Sequence, residues 1–268
     1  MKVLLKSLVR QAIPPIAMFG AILVLWSIAV WAFGIRSFLL PSPIKVVDAA
    51  MSNLNELTSA LMITSAAAIC GFLASMLLGV MIAFAFSQSS AIRNSCYPYA
   101  IFLQTVPMIA IAPLINTWFG SGFHSVVLVS LIISLFPVIT STTKGLLSLD
   151  ASMLELFQIH DASRWQLLIK LRLPNAVPDI IAGAKTSSGL AVIGAIVGEF
   201  FTGYENAGFE NQNFGLGYLI LLTSDQLKTD KLFASVLAST LLGIFIFAIV
   251  TGVGSAIQRR WYSHVSLG

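Results

Sequence analysis

Six long runs of apolar residues, almost free of charge, dominate this chain of 268 residues. The hydrocarbon core of a bilayer is about 30 Å thick, and a helix needs roughly 20 apolar residues to cross it. Because 57% of the residues are hydrophobic and only 10% are charged, the chain lacks the polar surface of a water-soluble domain. We therefore predict an all-α membrane protein with six transmembrane helices, at residues 16–33, 60–86, 97–119, 123–143, 180–202 and 232–257.

The placement of Lys and Arg orients these segments, because positive residues accumulate in short cytoplasmic loops. With the N-terminus in the cytoplasm, ten of the fifteen Lys and Arg residues are internal, and Lys185 lies near a membrane boundary. We therefore predict a multi-pass membrane protein with cytoplasmic N- and C-termini; the assignment to the cell inner membrane is an implication of the family resemblance described below. The internal cations are Lys2, Lys6, Arg10, Arg93, Lys144, Arg164, Lys170, Arg172, Arg259 and Arg260, and the external charges are Arg36, Lys45, Lys228, Lys231, Asp48, Glu56, Glu205, Glu210, Asp225 and Asp230.

Motifs of an enzyme are missing from the sequence. A phosphate-binding Walker loop needs a Gly-Lys pair, and the chain contains none. The spacing of His124, His160 and His264 is not that of a zinc protease. Cys70 falls inside a membrane segment and Cys96 in a cytoplasmic turn, which argues against a disulfide or a metal site. We predict a protein that is not an enzyme, holds no metal or cofactor, and binds no nucleic acid, since its charge of +4 follows from membrane orientation.

The longest polar stretch between apolar segments covers residues 144–179, between the fourth and fifth helices. Antiparallel neighbours need a far shorter connection. Residues 154–159 alternate bulky and polar side chains, which suits a short helix with one apolar face. We therefore predict that a partner docks on this loop. An amphipathic loop lying on the membrane is the alternative interpretation, since the stretch also carries Trp165 and several basic residues.

The second half of this loop carries local folding signals. Ser163 and Gln166 have the spacing of a capping box, so a second helix begins after Ser163. Asp161 stands just before it, and Asp is one of the few non-glycine residues that tolerate left-handed backbone angles. Because proline disfavours helix at the preceding residue, we expect Leu173-Pro174 and Pro178 to end this helix. The loop is predicted to be a compact helical hairpin.

Polar side chains inside the apolar segments are few, and each is a candidate for lining a pathway. Gln104 and Asn116 lie in the third segment near helix-bending prolines, and Glu199 lies near the outer end of the fifth. The alternative for each is a structural role, because a buried amide in a membrane helix usually bridges two helices. Rows of small residues at four-residue spacing predict close helix packing, at Gly71, Ser75 and Gly79 and at Gly183, Ser187, Ala191 and Ala195.

The loop motif resembles that of the integral-membrane permeases of bacterial ABC importers. Glu155-Leu156-Phe157, Asp161 and Leu171 with Leu173-Pro174 match the family spacing, although Asp161 replaces the family's turn glycine. The nitrate, sulfonate and taurine branch of the family is similar over nearly the whole chain. Its further matching segments are Leu40-Pro41-Ser42-Pro43, Ala162-Ser163-Arg164-Trp165-Gln166, Gly189-Leu190-Ala191, Gly198-Glu199-Phe200, Gly215-Leu216-Gly217-Tyr218-Leu219-Ile220 and Thr229-Asp230.

This resemblance implies a single permease domain over 1–268, with 144–179 as its cytoplasmic coupling loop. It implies a homodimer or paired permease, a substrate-binding protein, and two separate ATP-binding subunits that hold ATP and Mg. An ion-coupled secondary carrier and a membrane scaffold are the alternatives. The solute stays open among nitrate, bicarbonate, sulfonates, taurine and thiamine precursors. The residues expected to dock the ATP-binding subunits are Glu155, Leu156, Phe157, Asp161, Ala162, Ser163, Leu171, Leu173 and Pro174.

Overall fold

Helices build all the regular structure of the described chain. The structure, a computed structural model, describes residues 2–205 and 214–262. Within those ranges no strand is formed, as the apolar composition predicts for a membrane protein. The helices are α1 Lys2–Ala32, α2 Pro43–Ser52, α3 Leu54–Gln88, α4 Ser90–Thr105, α5 Met108–Phe119, α6 Phe123–Leu147, α7 Ala151–Ile159, α8 Arg164–Leu167, a π-helical turn Leu168–Arg172, α9 Leu173–Glu205, α10 Leu216–Asp225 and α11 Thr229–Tyr262.

Four described helices are long and apolar enough to cross a membrane. They cover Leu54–Gln88, Phe123–Leu147, Arg164–Thr202 and Thr229–Arg260, and α4 with α5 forms a bent pair that brings the number to five. Ala17–Ala32 is apolar but shorter. The all-helical membrane fold is therefore confirmed, and the count of six spans stays a prediction. Of the charges used to orient the chain, Glu210 and the side chains of Lys2, Lys6, Arg10 and Glu205 lie outside the described part.

The predicted third segment, 97–119, forms two helices and not the single proline-bent helix that we expected. The chain breaks between α4 and α5, whose axes are bent by 100°. Val106 is extended, with φ −67° and ψ 128°, because the residue before proline is disfavoured in the helical region. Pro107 also lacks the N–H that would continue the helical ladder. The connection Gly120-Ser121-Gly122 is a tight turn as expected, and α5 packs on α6 through Ala112, Ile115 and Val129.

Two helices continue through prolines where the prediction placed a helix end. The first predicted segment begins at residue 16, after Pro14-Pro15, and the loop helix was expected to end at Leu173-Pro174. Helix α1 starts at Lys2 and runs through Pro14-Pro15. The loop helix does not end at Leu173-Pro174, because the π turn passes directly into α9 and Pro178 lies inside that helix. In the π turn the Leu173 N–H donates to the Leu168 carbonyl, five residues back. This shift of the ladder puts Pro174 in the first turn of α9, where a missing N–H is tolerated.

Small residues let α3, α6 and α9 approach each other closely, as their spacing predicts. A Cβ on Gly71 would overlap the Ser130 side chain of α6, and one on Gly79 would lie 2.7 Å from Val138 Cβ. Between α9 and α6, the Ser187 hydroxyl donates to the Ser134 carbonyl at 2.6 Å. The Ser130 hydroxyl likewise donates to the Ala191 carbonyl at 2.8 Å. These interhelix bonds keep hydroxyl groups satisfied inside an apolar bundle.

The described residues divide into two compact units, within 1–58 with 219–237 and within 59–218 with 238–268. In the first unit, α11 contacts α1 through aromatic rings and α3 through an ion pair. Trp26 of α1 packs on Phe233 of α11 with ring centroids 5.8 Å apart. The Lys231 ammonium and the Glu56 carboxylate form an ion pair with Nζ and Oε2 2.5 Å apart. The three-helix packing of α3, α6 and α9 belongs to the second unit.

Candidate functional site

The hairpin, residues 151–167, consists of α7, a tight turn and α8. Asp161 forms the turn with φ 46°, in the left-handed region that glycine usually occupies. The Ala162 N–H donates to the Phe157 carbonyl at 3.0 Å, five residues back, which is the main bond of a Schellman helix end. A left-handed Asp costs about 1 kcal/mol relative to glycine. The turn geometry expected from the sequence is therefore formed even with Asp at this position.

A capping box begins α8, as the sequence predicts. The Ser163 N–H donates to Gln166 Oε1 at 2.8 Å, and the Gln166 N–H donates to Ser163 Oγ at 3.3 Å. At the start of α7, Asp150 Oδ1 accepts a bond from the Ser152 N–H at 3.3 Å. Caps of this kind contribute about 1 kcal/mol each to helix stability. Local bonds thus fix the starts of both short helices of the hairpin.

Between α7 and α8 lies a groove with a volume of about 330 Å³. Leu156 at its edge is 49% exposed, and Ile159 and Trp165 on the hairpin are 78% and 72% exposed. Leu156 and Ile159 lie outside the long apolar spans, and Trp165 lies in the first turn of the span Arg164–Thr202. Exposed apolar groups at this place mark a surface that is covered by a partner or by lipid. The groove is lined by Leu156, Phe157, His160, Ala162, Gln166 and Lys170.

The residues that follow the hairpin form hydrogen bonds with the ends of two membrane helices. Arg172 Nη1 donates to the Ser87 carbonyl at the end of α3. Asn175 Nδ2 donates to the carbonyls of Gly145 and Ser148 at 3.1 and 2.9 Å, which satisfies the last turn of α6. A buried cluster beneath the hairpin joins the same elements. Its members are Ala83, Leu146, Leu168 and Ala176, with Phe84 and Ile180 packed against them.

The structure divides the predicted docking residues into two groups. Glu155, Leu156, Asp161 and Ser163 are exposed on the hairpin, and Phe157 and Ala162 are half-buried in its groove. Leu171, Leu173 and Pro174 are half-buried in the helix that leads from the hairpin into the membrane. His160, Gln166 and Lys170 complete the groove and were missing from the prediction. Helical periodicity could have found Lys170, which stands four residues after Gln166.

Comparison with known proteins shows the family of the chain. Residues 71–262 match the family described as "Binding-protein-dependent transport system inner membrane component". The chain belongs to this family of ABC transport permeases. It is 32% identical to the formylaminopyrimidine transport permease ThiX of Halalkalibacterium halodurans over 90% of this chain and 92% of that protein. It is 29% identical to the putative aliphatic sulfonates permease SsuC of Bacillus subtilis, over 90% and 82% of the two chains. The sulfonate-type branch expected from the sequence is thus represented among its relatives.

The fold of the permease is also that of solved ABC transporters. A chain of the MetNI methionine ABC transporter, solved in inward-facing conformations, superimposes with a TM-score of 0.55. The match covers 78% of the permease and 95% of that chain at 15% sequence identity, so it shows the fold alone. The family match over residues 71–262, and not this superposition, identifies the chain as an inner membrane component of a binding-protein-dependent transport system. Family members are generally not catalytic, and none of the described residues forms a cluster of metal-ligating side chains.

The three pathway candidates of the permease lie in different surroundings. Gln104 is exposed near the C-terminal end of α4. Asn116 of α5 is only 4% exposed, and its Oδ1 accepts a bond from the Thr202 hydroxyl at 3.3 Å. Its Nδ2 has no hydrogen-bond partner among the described residues. Glu199 is 5% exposed, and both its oxygens accept hydrogen bonds. Asn116 is thus bonded to a residue that lies three positions after Glu199 on the same helix, α9.

Proposed function

We propose that this permease forms the translocation pathway of an ATP-driven importer and docks two ATP-binding subunits on its hairpin. A substrate-binding protein delivers the solute, and a second copy of the chain completes the pathway. ATP and Mg are held by the partner subunits, and this chain supplies no catalytic residue. Residues 1–268 act as one permease domain, in which 144–179 is the coupling loop. The family match supports this assignment because it runs through residues of both compact units.

One observation carries the docking proposal, namely the continuity of the hairpin with a membrane helix. The chain is helical without a break from Arg164 to Thr202, through the π turn. A force applied at the hairpin is therefore applied directly to α9, with no flexible joint between. At the hairpin, Leu156 and Phe157 offer apolar side chains in a groove that also holds the cation Lys170. Interfaces of this kind combine a partly buried apolar centre with a polar rim.

The alternatives have less support from the described residues. An ion-coupled carrier needs an ionisable group that can exchange its partner inside the membrane. Glu199 is the buried acid of the described spans, and its oxygens are taken up by a hydroxyl and a backbone N–H. A membrane scaffold would require no helix continuous with the loop. A loop lying on the bilayer would turn Leu156 and Trp165 toward lipid, and the experiment below separates this case.

The solute is proposed to be a small polar organic compound. The relatives named above carry formylaminopyrimidine and aliphatic sulfonates in their names, and these two compounds are the first to test. Asn116 is the favoured pathway residue of the three candidates, because a buried amide without a partner retains N–H groups for a ligand. Gln104 follows it. Glu199 comes last, since its oxygens are already occupied.

We further propose six spans with both termini in the cytoplasm of a cell with an inner membrane. The chain carries two cysteines, both exposed, on α3 and α4. Cys70 lies inside a long apolar helix, whereas Cys96 lies in the first half of α4, next to the predicted internal Arg93. Cys96 should react with a membrane-impermeant maleimide in inside-out vesicles and stay unlabelled in right-side-out vesicles. The Cys70→Ser variant assigns the label to Cys96, and labelling from the outside would reverse the orientation.

The function is tested by purifying the tagged permease from its native membrane in mild detergent. Mass spectrometry should identify an ATP-binding subunit and a second permease copy, and lysine cross-links should join that subunit to Lys170 of the groove. A complex that lacks any ATP-binding protein while retaining other native partners would refute the importer assignment. Cross-links from Lys170 to lipid-associated proteins alone would favour the loop on the membrane surface.

A further inference from the structure

A buried carboxylate joins the far end of α9 to the first turn of α10. Glu199 Oε1 accepts a hydrogen bond from the Thr64 hydroxyl at 2.8 Å, and its Oε2 accepts one from the Gly217 N–H at 2.7 Å. Thr64 on α3 is fully buried, and its Oγ1 accepts a bond from the Leu216 N–H at 2.8 Å. The first two N–H groups of α10, which have no partner inside that helix, are thus both satisfied. We call these four residues the Glu199 clamp.

The Glu199 carboxyl group faces backbone N–H groups at the start of a helix. Within 2–205 and 214–262, neither ion pair of the structure includes Glu199. The N-terminal end of a helix carries a partial positive charge and points its free N–H groups outward. Here that end faces the carboxylate directly. Removing either the carboxylate or the Thr64 hydroxyl leaves a buried donor unsatisfied, which is expensive in an apolar interior.

Two glycines allow the chain to run this close to the carboxylate. A Cβ on Gly215 would overlap Glu199 Oε1 and Cδ. A Cβ on Gly217 would lie 2.5 Å from the Ile196 carbonyl oxygen and 2.8 Å from Glu199 Cβ. The two backbones are therefore in contact with no space for an intervening side chain. This close contact requires the two glycines of the Gly215-Leu216-Gly217 sequence at the start of α10.

The clamp lies at the opposite end of α9 from the hairpin. From Leu173 to Glu199 the helix spans about 40 Å at 1.5 Å per residue. Along that length α9 is packed on α6 through Gly183, Gly194 and Gly198, whose Cβ positions all fall within 3.0 Å of α6 atoms. Packed helices move as rigid elements. A displacement of the hairpin that moves α9 therefore also moves Glu199 by a similar distance.

We propose that Glu199 and Thr64 are positioning residues for transport, which couple the first turn of α10 to the motion of α9. The proposal rests on docking of the ATP-binding subunits at the hairpin. Glu199, the acid of the fifth predicted span, then has a mechanical role in the transport cycle. A purely structural bond would hold segment 214–218 in place but would not carry a nucleotide-dependent change to it. The difference between these two roles is measurable.

Hydrogen exchange of the whole transporter, with its ATP-binding subunits, tests the clamp first without nucleotide. In Thr64→Val and Glu199→Gln, exchange of the Leu216 and Gly217 amides should rise about tenfold, which is about 1.4 kcal/mol. Glu199→Gln replaces one of the two accepting oxygens by an amide donor, so a single oxygen must accept from both the Thr64 hydroxyl and the Gly217 N–H, or one of these bonds is lost. Thr142→Val is the matched control, since Thr142 is equally buried and its hydroxyl has no partner among the described residues. Unchanged exchange in both variants would overturn the proposal.

The second measurement adds Mg-ATP and vanadate. In the parent, trapping should change exchange both at 151–167 and at 214–218. In Thr64→Val and Glu199→Gln, the change at 151–167 should persist and the change at 214–218 should be lost, while Thr64→Ser should restore it. Persistence of the distant change in both variants would refute the coupling role. If trapping leaves hydrogen exchange at 151–167 unchanged in the parent, the docking proposal fails. In that case only the exchange measured without nucleotide decides whether the clamp exists. Thr64→Val keeps the side-chain shape and serves if Glu199→Gln does not assemble.

Discussion

We expect Leu156→Lys to release the ATP-binding subunits while the permease stays folded and inserted. Leu156 is 49% exposed, lines the groove and contributes to none of the buried clusters of the described helices. A lysine there puts a charge into an apolar contact beside Lys170. Central apolar anchors of interfaces contribute 2 kcal/mol or more, so affinity should fall about 30-fold. The measurement is the amount of ATP-binding subunit retained on the tagged permease after washing.

Ile44→Lys is the matched control for this experiment. Ile44 is 80% exposed on α2, far along the chain from the hairpin, and the substitution introduces the same charge. It should leave the retained subunit at the parent level. Glu155→Lys should weaken retention less, because Glu155 is exposed and charges at an interface rim contribute little to affinity. Full retention in Leu156→Lys would show that the hairpin groove is not the docking surface.

The hairpin could be predicted because its signals are local. The Ser163–Gln166 capping box spans three residues, and the left-handed turn depends on the single residue Asp161. Both arise from short-range backbone geometry that the sequence states directly. The exposure of the groove could also be predicted from the sequence, since residues 144–179 contain the longest polar stretch between apolar segments. What local signals did not give was the continuity of α8 with α9.

That continuity and the α4–α5 bend depend on competition between proline and packing. At Pro107 the chain bends by 100°, whereas at Pro174 and Pro178 the helix continues. The difference is that a π turn precedes Pro174 and shifts the ladder, and α9 is packed along α6. Proline rules alone predict a break at each of these places. These rules do not include the π turn before Pro174, a local shift of the hydrogen-bond ladder that lets the helix continue.

The Glu199 clamp could not be predicted for a different reason. Thr64 and Glu199 are 135 residues apart, and Asn116 and Thr202 are 86 residues apart. A single sequence shows an acid at position 199 and glycines at positions 215 and 217. It does not show which hydroxyl group contacts the acid. The sequence left two roles open for Glu199, a carboxylate lining a pathway near the outer end of the helix and a structural residue. Its burial follows from the return of the chain at 214–217, which covers the carboxylate.

We expect Gly194→Ala to destabilise the permease through the contact of α9 with α6. An added Cβ would lie 2.6 Å from Ser130 Cα and 3.3 Å from the Val129 carbonyl oxygen, both on the α6 backbone. Backbone atoms cannot move aside as a flexible side chain can, so the two helices must separate. Separation would also stretch the bond from the Ser130 hydroxyl to the Ala191 carbonyl. Overpacking of this kind costs about 1–3 kcal/mol, read as a lower unfolding temperature in detergent.

Gly189→Ala is the control because it makes the same change on the same helix. A Cβ on Gly189 meets no described atom within 4 Å. Alanine is a better helix former than glycine by about 1 kcal/mol, so this variant should unfold at the parent temperature or above. The opposite signs of the two variants separate helix propensity from interhelix packing. If Gly194→Ala is as stable as Gly189→Ala, then α6 and α9 are not in backbone contact, and α9 could not carry motion from the hairpin to Glu199 as a packed rigid element.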